Sequence, residues 1–238
     1  MRAPTASSNV PRPDRLDRQI AKGVPGRRRQ VVVVVTLVAG SAILAGTLAA
    51  PSGSGPFFAL GLLVAVTWIV GAVLAGPRQP TPRGARSGPT TGPTVGQTGP
   101  IGILAPVLVG AVLYGAFFVA RLIAGQIPFF SRNVTSVLAR ADAGPRAAVL
   151  LVALVNGVGE ELFFRGALVA AFGKHRPAVW ATVVYCLVTV CTLNIALVVA
   201  AVVMGTVFMV ERRVTGGVAA PILTHLSWST LVIFFLPR

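Results

Sequence analysis

Asn156-Gly157-Val158-Gly159-Glu160-Glu161-Leu162-Phe163-Phe164-Arg165-Gly166 lies inside an apolar run over residues 147–172. A helix needs about 20 apolar residues to cross a bilayer, and this run is long enough. The chain has only six acidic residues, and two of them stand side by side here, near the middle of the run. One central Asp, Lys or Arg costs about 2.5–3.5 kcal/mol on insertion scales. Three charges within six positions therefore need partners, water or a chemical task. The stretch reads as the catalytic helix of an intramembrane enzyme, and it sets the fold class: an all-α, polytopic transmembrane helical bundle.

The rest of the chain agrees with a membrane solvent. Of its 238 residues 54% are hydrophobic and only 11% charged, and the mean hydropathy is +0.79, well above that of a water-soluble domain. The net charge of +15 comes from positives gathered at the amino terminus and in short loops. That pattern suits topogenic signals and anionic headgroups. It does not suit nucleic acid, because no basic stretch is interleaved with aromatics in a soluble module. Cys186 and Cys191 share one apolar run. Five residues apart on a helix they point in different directions, so they read as small apolar fillers rather than a disulfide or a metal pair.

Taken in order, residues 1–30 form a basic, proline-bearing cytoplasmic tail. Its Arg27-Arg28-Arg29 run is the positive flank of a first membrane helix rather than a twin-arginine signal. Helices are expected at 31–50, 57–75 and 101–124. A Pro/Gly-rich linker at 76–100 carries Arg78, Arg83 and Arg86. Thus 31–124 is an amino-terminal membrane region and 125–238 a catalytic membrane core. In the core, a short amphipathic interfacial helix is expected from Asn133, stopped by Gly144-Pro145. A helix over 147–172 follows, then a tight hairpin of 178–193 and 195–210 around Asn194. Glu211-Arg212-Arg213 reads as a basic loop before a last helix at 218–235. The count is about seven membrane helices. The basic loops, one of which holds Lys174 and His175, put the amino terminus in the cytoplasm.

The helical spacing assigns different tasks to the two carboxylates. Glu161 stands four residues before Arg165, the favourable order for an intrahelical ion pair. Glu160 is about 100° round the helix and has no such cation, which suits a general base acting on water. Gly157, Gly159 and Gly166 leave room for a neighbouring backbone. On the last helix, Pro221-Ile222-Leu223-Thr224-His225 puts one of the two histidines of the chain inside the membrane, with Ser229 one turn on. Tyr185 and Thr189 share a face of the preceding hairpin. Tyr185 and Trp228 read as packing or interface residues.

Glu160-Glu161-x-x-x-Arg165, a short helical hairpin and then Pro221-Ile222-x-x-His225 together resemble the CPBP family. These are the CAAX-processing and bacteriocin-processing intramembrane proteases, also called Abi proteins. The resemblance covers about 147–236. It implies a membrane hydrolase in which Glu160 activates the attacking water, Glu161 pairs with Arg165, and His225 holds the water or the developing oxyanion. The family is described both as metalloprotease and as metal-free. A divalent metal such as zinc is therefore one implied cofactor, and a metal-free glutamate mechanism is the other. The sequence departs from the pattern twice. Thr189 of Tyr185-x-x-x-Thr189 stands where the family has histidine, and Ser229 where it has Asn or Asp. Asn194 is the candidate substitute for the missing histidine.

The resemblance implies an endopeptidase in a bacterial plasma membrane, acting on a membrane-proximal peptide or protein. Its partners are the lipid bilayer and that substrate. A catalytically degenerate scaffold or immunity-type interaction protein is the alternative, and a proton-coupled transporter a third.

Overall fold

A computed structural model describes residues 26–76, 100–172 and 176–237. Residues 1–25 of the expected tail, most of the linker, Lys174 and His175 lie outside the described residues, and residues 27–30, expected in the tail, are already helical. Among those described, all regular structure is helical. The helices are α1 (Arg27–Ala49), α2 (Gly55–Ala75), α3 (Pro100–Ala124), α4 (Pro128–Asp142), α5 (Arg146–Glu160), a π-helical segment (Glu161–Ala167), α6 (Leu168–Phe172), α7 (Pro177–Val190), α8 (Ile195–Thr215) and α9 (Ala219–Phe235).

Five stretches are long and apolar enough to cross a membrane: α1, α2, α3, the continuous α5–π–α6 unit and α8. The helices α7 and α9 are apolar but shorter. At 1.5 Å per residue they reach roughly 21 and 26 Å, against a hydrocarbon core of about 30 Å.

Local chemistry explains most boundaries. Ser54 caps α2 by accepting a hydrogen bond from the Phe57 N–H at 3.3 Å, and a proline opens α4 and α7 in their first turns, where no N–H is needed. Pro128 starts α4 five residues before Asn133, where the amphipathic pattern alone would place it. Helix α8 runs to Thr215, so Glu211-Arg212-Arg213 is not a loop. These are good helix formers, the arginines suit the carbonyl end of the dipole, and the stop is Gly216 in the left-handed region at φ 75°. Conversely, α7 stops at Val190, and residues 191–193 make a turn before Asn194.

Arginines tie the ends of the bundle. At one end Arg29 Nε donates to the Ala75 carbonyl at 2.9 Å and Nη1 to the Ala170 carbonyl at 3.5 Å. At the other, Arg140 Nη2 donates to the Leu48 carbonyl at 2.9 Å. Both satisfy carbonyls that a helix end leaves unpaired. Between these ends, Trp68 of α2 packs on Phe163 and Phe164 of the π segment, with ring centroids 5.0 Å apart in each case. This cluster packs the charged unit against α2, and Phe164 also meets the Tyr185 ring of α7 at 5.0 Å.

Glycines set the closest approaches. A Cβ on Gly159 would stand 3.0 Å from the Ala65 carbonyl oxygen and 3.2 Å from the Trp68 Cβ, against the body of α2. Gly157 meets the His225 ring, while Gly166 faces only Val218 at ordinary contact distance. Gly159→Leu is expected to lower stability by about 1–3 kcal/mol through overpacking. Unfolding in detergent would measure it, and an unchanged midpoint would contradict so close an α2–α5 contact.

Candidate active site

The site begins with Glu161, which is completely buried. Its Oε2 faces Arg165 Nε at 3.2 Å and its Oε1 lies 3.0 Å from His225 Nδ1. A carboxylate paired with an arginine only accepts, so in the Nδ1–H tautomer His225 donates to Glu161, which orients the ring and leaves Nε2 for another partner.

Arg165 is itself buried. Its guanidinium lies over the Tyr185 ring at 4.3 Å and near the Phe208 ring at 5.2 Å, within reach of the negative face of each ring. Aromatic faces thus take the place of water round the cation. The π segment carries both charges of the pair. Single π turns inside α-helices recur at functional sites, and here the Arg165 carbonyl in that segment accepts from Arg212 Nε of α8. The sequence pattern gave no sign of this change of helical period.

Glu160 is only partly buried. Its Oε2 accepts a hydrogen bond from the Tyr185 hydroxyl at 3.0 Å. Glu160, Glu161 and His225 each place one side-chain donor atom within 4.8 Å of the others. Two groups that far apart are bridged by one water with hydrogen bonds of about 2.6–3.2 Å. The backbone of Gly157 supports the His225 ring: a Cβ there would sit 3.3 Å from His225 Cγ.

Residues 142–231 match the family model described as Rce1-like, Type II CAAX prenyl endopeptidase. The match takes in the π segment and every charged residue of the site. This segment is similar to the CAAX proteases. No curated protein and no solved structure matches the chain. The match leaves α1, α2 and α3 outside it, so less than half of the chain carries the CAAX protease signature. Peptide hydrolysis is the activity of that family, and with the apolar helices the match indicates a multi-pass membrane protein.

Set against the CAAX protease pattern, the sequence-expected residues fall into two groups. Glu160, Glu161, Arg165 and His225 come together, and the Glu161–Arg165 pair forms as its spacing requires. His225, however, bonds directly to Glu161, not to Glu160. Ser229 is buried one turn beyond His225. Asn194 is spent elsewhere. Its Oδ1 accepts from the N–H groups of Ala196 and Leu197 at 3.0 and 3.2 Å, capping α8. Its Nδ2 donates to the Asn133 carbonyl and Ser136 Oγ of α4, both at 3.0 Å. Donors and acceptor of the Asn194 amide are thus engaged with α4 and α8. Thr189 donates to the Tyr185 carbonyl of its own helix at 3.0 Å, so its hydroxyl is also used locally. Asn194→Ala is expected to cost about 0.5–2 kcal/mol through loss of the cap while leaving the rate per folded molecule unchanged. A fall in that rate with unchanged stability would return Asn194 to the site.

Two contributors escape the sequence reading. Tyr185 is not simply a packing residue, because its hydroxyl is the partner of Glu160. The available signal was a phenolic hydroxyl within an apolar helix, which needs a hydrogen-bond partner when buried. Glu211, expected in a loop, lies within the span of α8 with Oε1 2.6 Å from Thr224 Oγ1. Thr224 Oγ1 also lies 3.0 Å from the Pro106 carbonyl oxygen. These contacts fix the residue next to His225 against α3 and α8.

Glu160, Glu161 and His225 offer three ligands, the number a catalytic zinc site uses before its water, though with one histidine where His2Glu sites have two. With Nδ1 unprotonated, His225 Nδ1 and Glu161 Oε1, 3.0 Å apart, would bind one ion in place of their hydrogen bond. The donor set therefore fits a metal, although Arg165 already stands on the other oxygen of Glu161.

Proposed function

We propose that this chain is an intramembrane endopeptidase that hydrolyses a peptide bond with a water activated by Glu160. The observation that carries this reading is the division of labour between adjacent carboxylates. Glu161 is neutralised by Arg165 and orients His225, while Glu160 has no cation of its own and stands within one water of His225. Glu160 takes a proton from the water as its oxygen attacks the scissile carbonyl carbon. It returns that proton to the leaving amine as the C–N bond breaks. His225, aligned by Glu161, steadies the water and the oxygen that gains negative charge. Tyr185 holds the Glu160 carboxylate in place. A divalent metal held by Glu160, Glu161 and His225 would add Lewis-acid polarisation of the carbonyl; the residue roles above are those of the chain itself.

The substrate class in this proposal is a membrane-proximal peptide, and the description of the matching family makes a prenylated carboxyl-terminal peptide the first probe. The proposal includes seven crossings with the shorter α7 and α9 in the bundle, a cytoplasmic amino terminus and a bacterial plasma membrane. A non-catalytic scaffold is the second reading, favoured by Thr189 in place of the histidine. Tyr185→Phe separates them. It keeps the ring over Arg165 and removes only the hydroxyl on Glu160. Cleavage of the prenylated peptide by reconstituted protein is expected to fall about tenfold in kcat, the equivalent of one hydrogen bond of about 1.4 kcal/mol, with KM little changed. Equal cleavage by parent and variant would remove Tyr185 from the chemistry. No cleavage by either would favour the scaffold.

A further inference from the structure

The end of the bundle where α4 meets α8 carries a groove of about 380 Å³ between α3, α4, α8 and α9. Its walls are apolar, with Phe117, Phe130, Leu138 and Val232 among them, apart from Arg121 and Trp228. Each of these two holds a buried donor, Arg121 Nε and Trp228 Nε1, that has no acceptor among the described residues. An unmade hydrogen bond on a buried donor costs about 1–3 kcal/mol and more for a charged group, so the pair calls for a ligand bearing acceptors. The groove also lies at the end of a membrane-length helix. Arg121 is in the last turn of α3, and the amphipathic α4 turns Leu138 into the groove and leaves Arg132 exposed.

We propose that this groove binds one acyl chain of an anionic phospholipid, with its phosphodiester on Arg121 and the chain running along Trp228. The complementarity is specific in kind. A transmembrane peptide helix brings apolar surface, but its carbonyls are bonded within the helix, so it leaves both donors unmet. A phospholipid brings an apolar chain together with phosphate and ester oxygens. Arginine holds phosphate oxygens by charge-assisted hydrogen bonds, which an apolar partner cannot offer. Trp228 also touches the His225 ring, with centroids 6.2 Å apart, so the bound chain ends against a neighbour of the site.

The test uses the full chain in detergent micelles with Trp180→Phe as background. Of the three tryptophans this leaves Trp228 and Trp68, and Trp68 is 1% exposed. Lipids brominated in the acyl chain then quench Trp228 on contact. Brominated phosphatidylglycerol is expected to reach half-quenching at a concentration about tenfold below that of brominated phosphatidylcholine, because the choline cation neutralises the headgroup and repels Arg121. Arg121→Gln should abolish that difference and Arg121→Lys retain most of it. Inorganic phosphate should leave the quenching unchanged. Should the Gln variant fail to fold, the lipid contrast in the parent and the Lys variant decide. Equal half-quenching by the two lipids, a preference that survives Arg121→Gln, or reversal by inorganic phosphate would overturn the proposal. So would protection of Trp228 that rises with protein concentration, which would make a second copy the occupant.

Discussion

Glu160→Gln is expected to lower peptide hydrolysis by a factor of about 10²–10⁴, the contribution of a positioned general base, while the protein folds normally. The substitution preserves size and leaves an oxygen to accept from the Tyr185 hydroxyl, which bonds Glu160 Oε2 at 3.0 Å. It removes only the capacity to take the proton. The loss should fall on kcat, because the group acts on water and not on substrate binding. Parent and variant in the same vesicles, compared by kcat and by unfolding midpoint, provide the check. A variant that cleaves as well as the parent would remove Glu160 from the chemistry. One that fails to fold would make it structural.

Arg165→Ala should act the other way, on folding first. Arg165 and Glu161 are both almost wholly buried, and removing one partner of a buried pair costs about 3–5 kcal/mol. The loss extends further here. The guanidinium fills the space between the Tyr185 and Phe208 rings, and Glu161 would be left with His225 alone. The yield of folded protein and its unfolding midpoint in detergent are the measurements. Normal yield and midpoint would show that the Glu161–Arg165 contact contributes nothing to the fold.

The contrast between these two residues was legible in the sequence because it depends on helical spacing alone: Glu161 has Arg165 one turn on, and Glu160 has no such cation. The membrane class was legible for a similar reason, since long apolar runs and clustered arginines record the solvent directly. What escaped was whatever depends on contacts between helices. The direct bond of His225 to Glu161 joins residues 64 apart in sequence. The Tyr185 hydroxyl joins α7 to Glu160. Asn194, polar and centrally placed, looked catalytic, but its amide is used up in capping α8 and binding α4. The π segment was hidden because apolar residues on every side of 161–167 erase the periodic signal from which helical pitch is read. The length of α8 was misjudged because a charged triplet suggests a loop, yet Glu and Arg continue a helix well until Gly216 ends it.

The central claim is that this membrane site hydrolyses a peptide bond. The most direct measurement is mass spectrometry of a prenylated carboxyl-terminal peptide incubated with the full chain in vesicles, in heavy-oxygen water, beside Glu160→Gln. The account predicts two fragments from the parent, with one heavy oxygen in the new carboxylate, and intact peptide from the variant under the same conditions. Intact peptide from both, or equal cleavage by both, would contradict it.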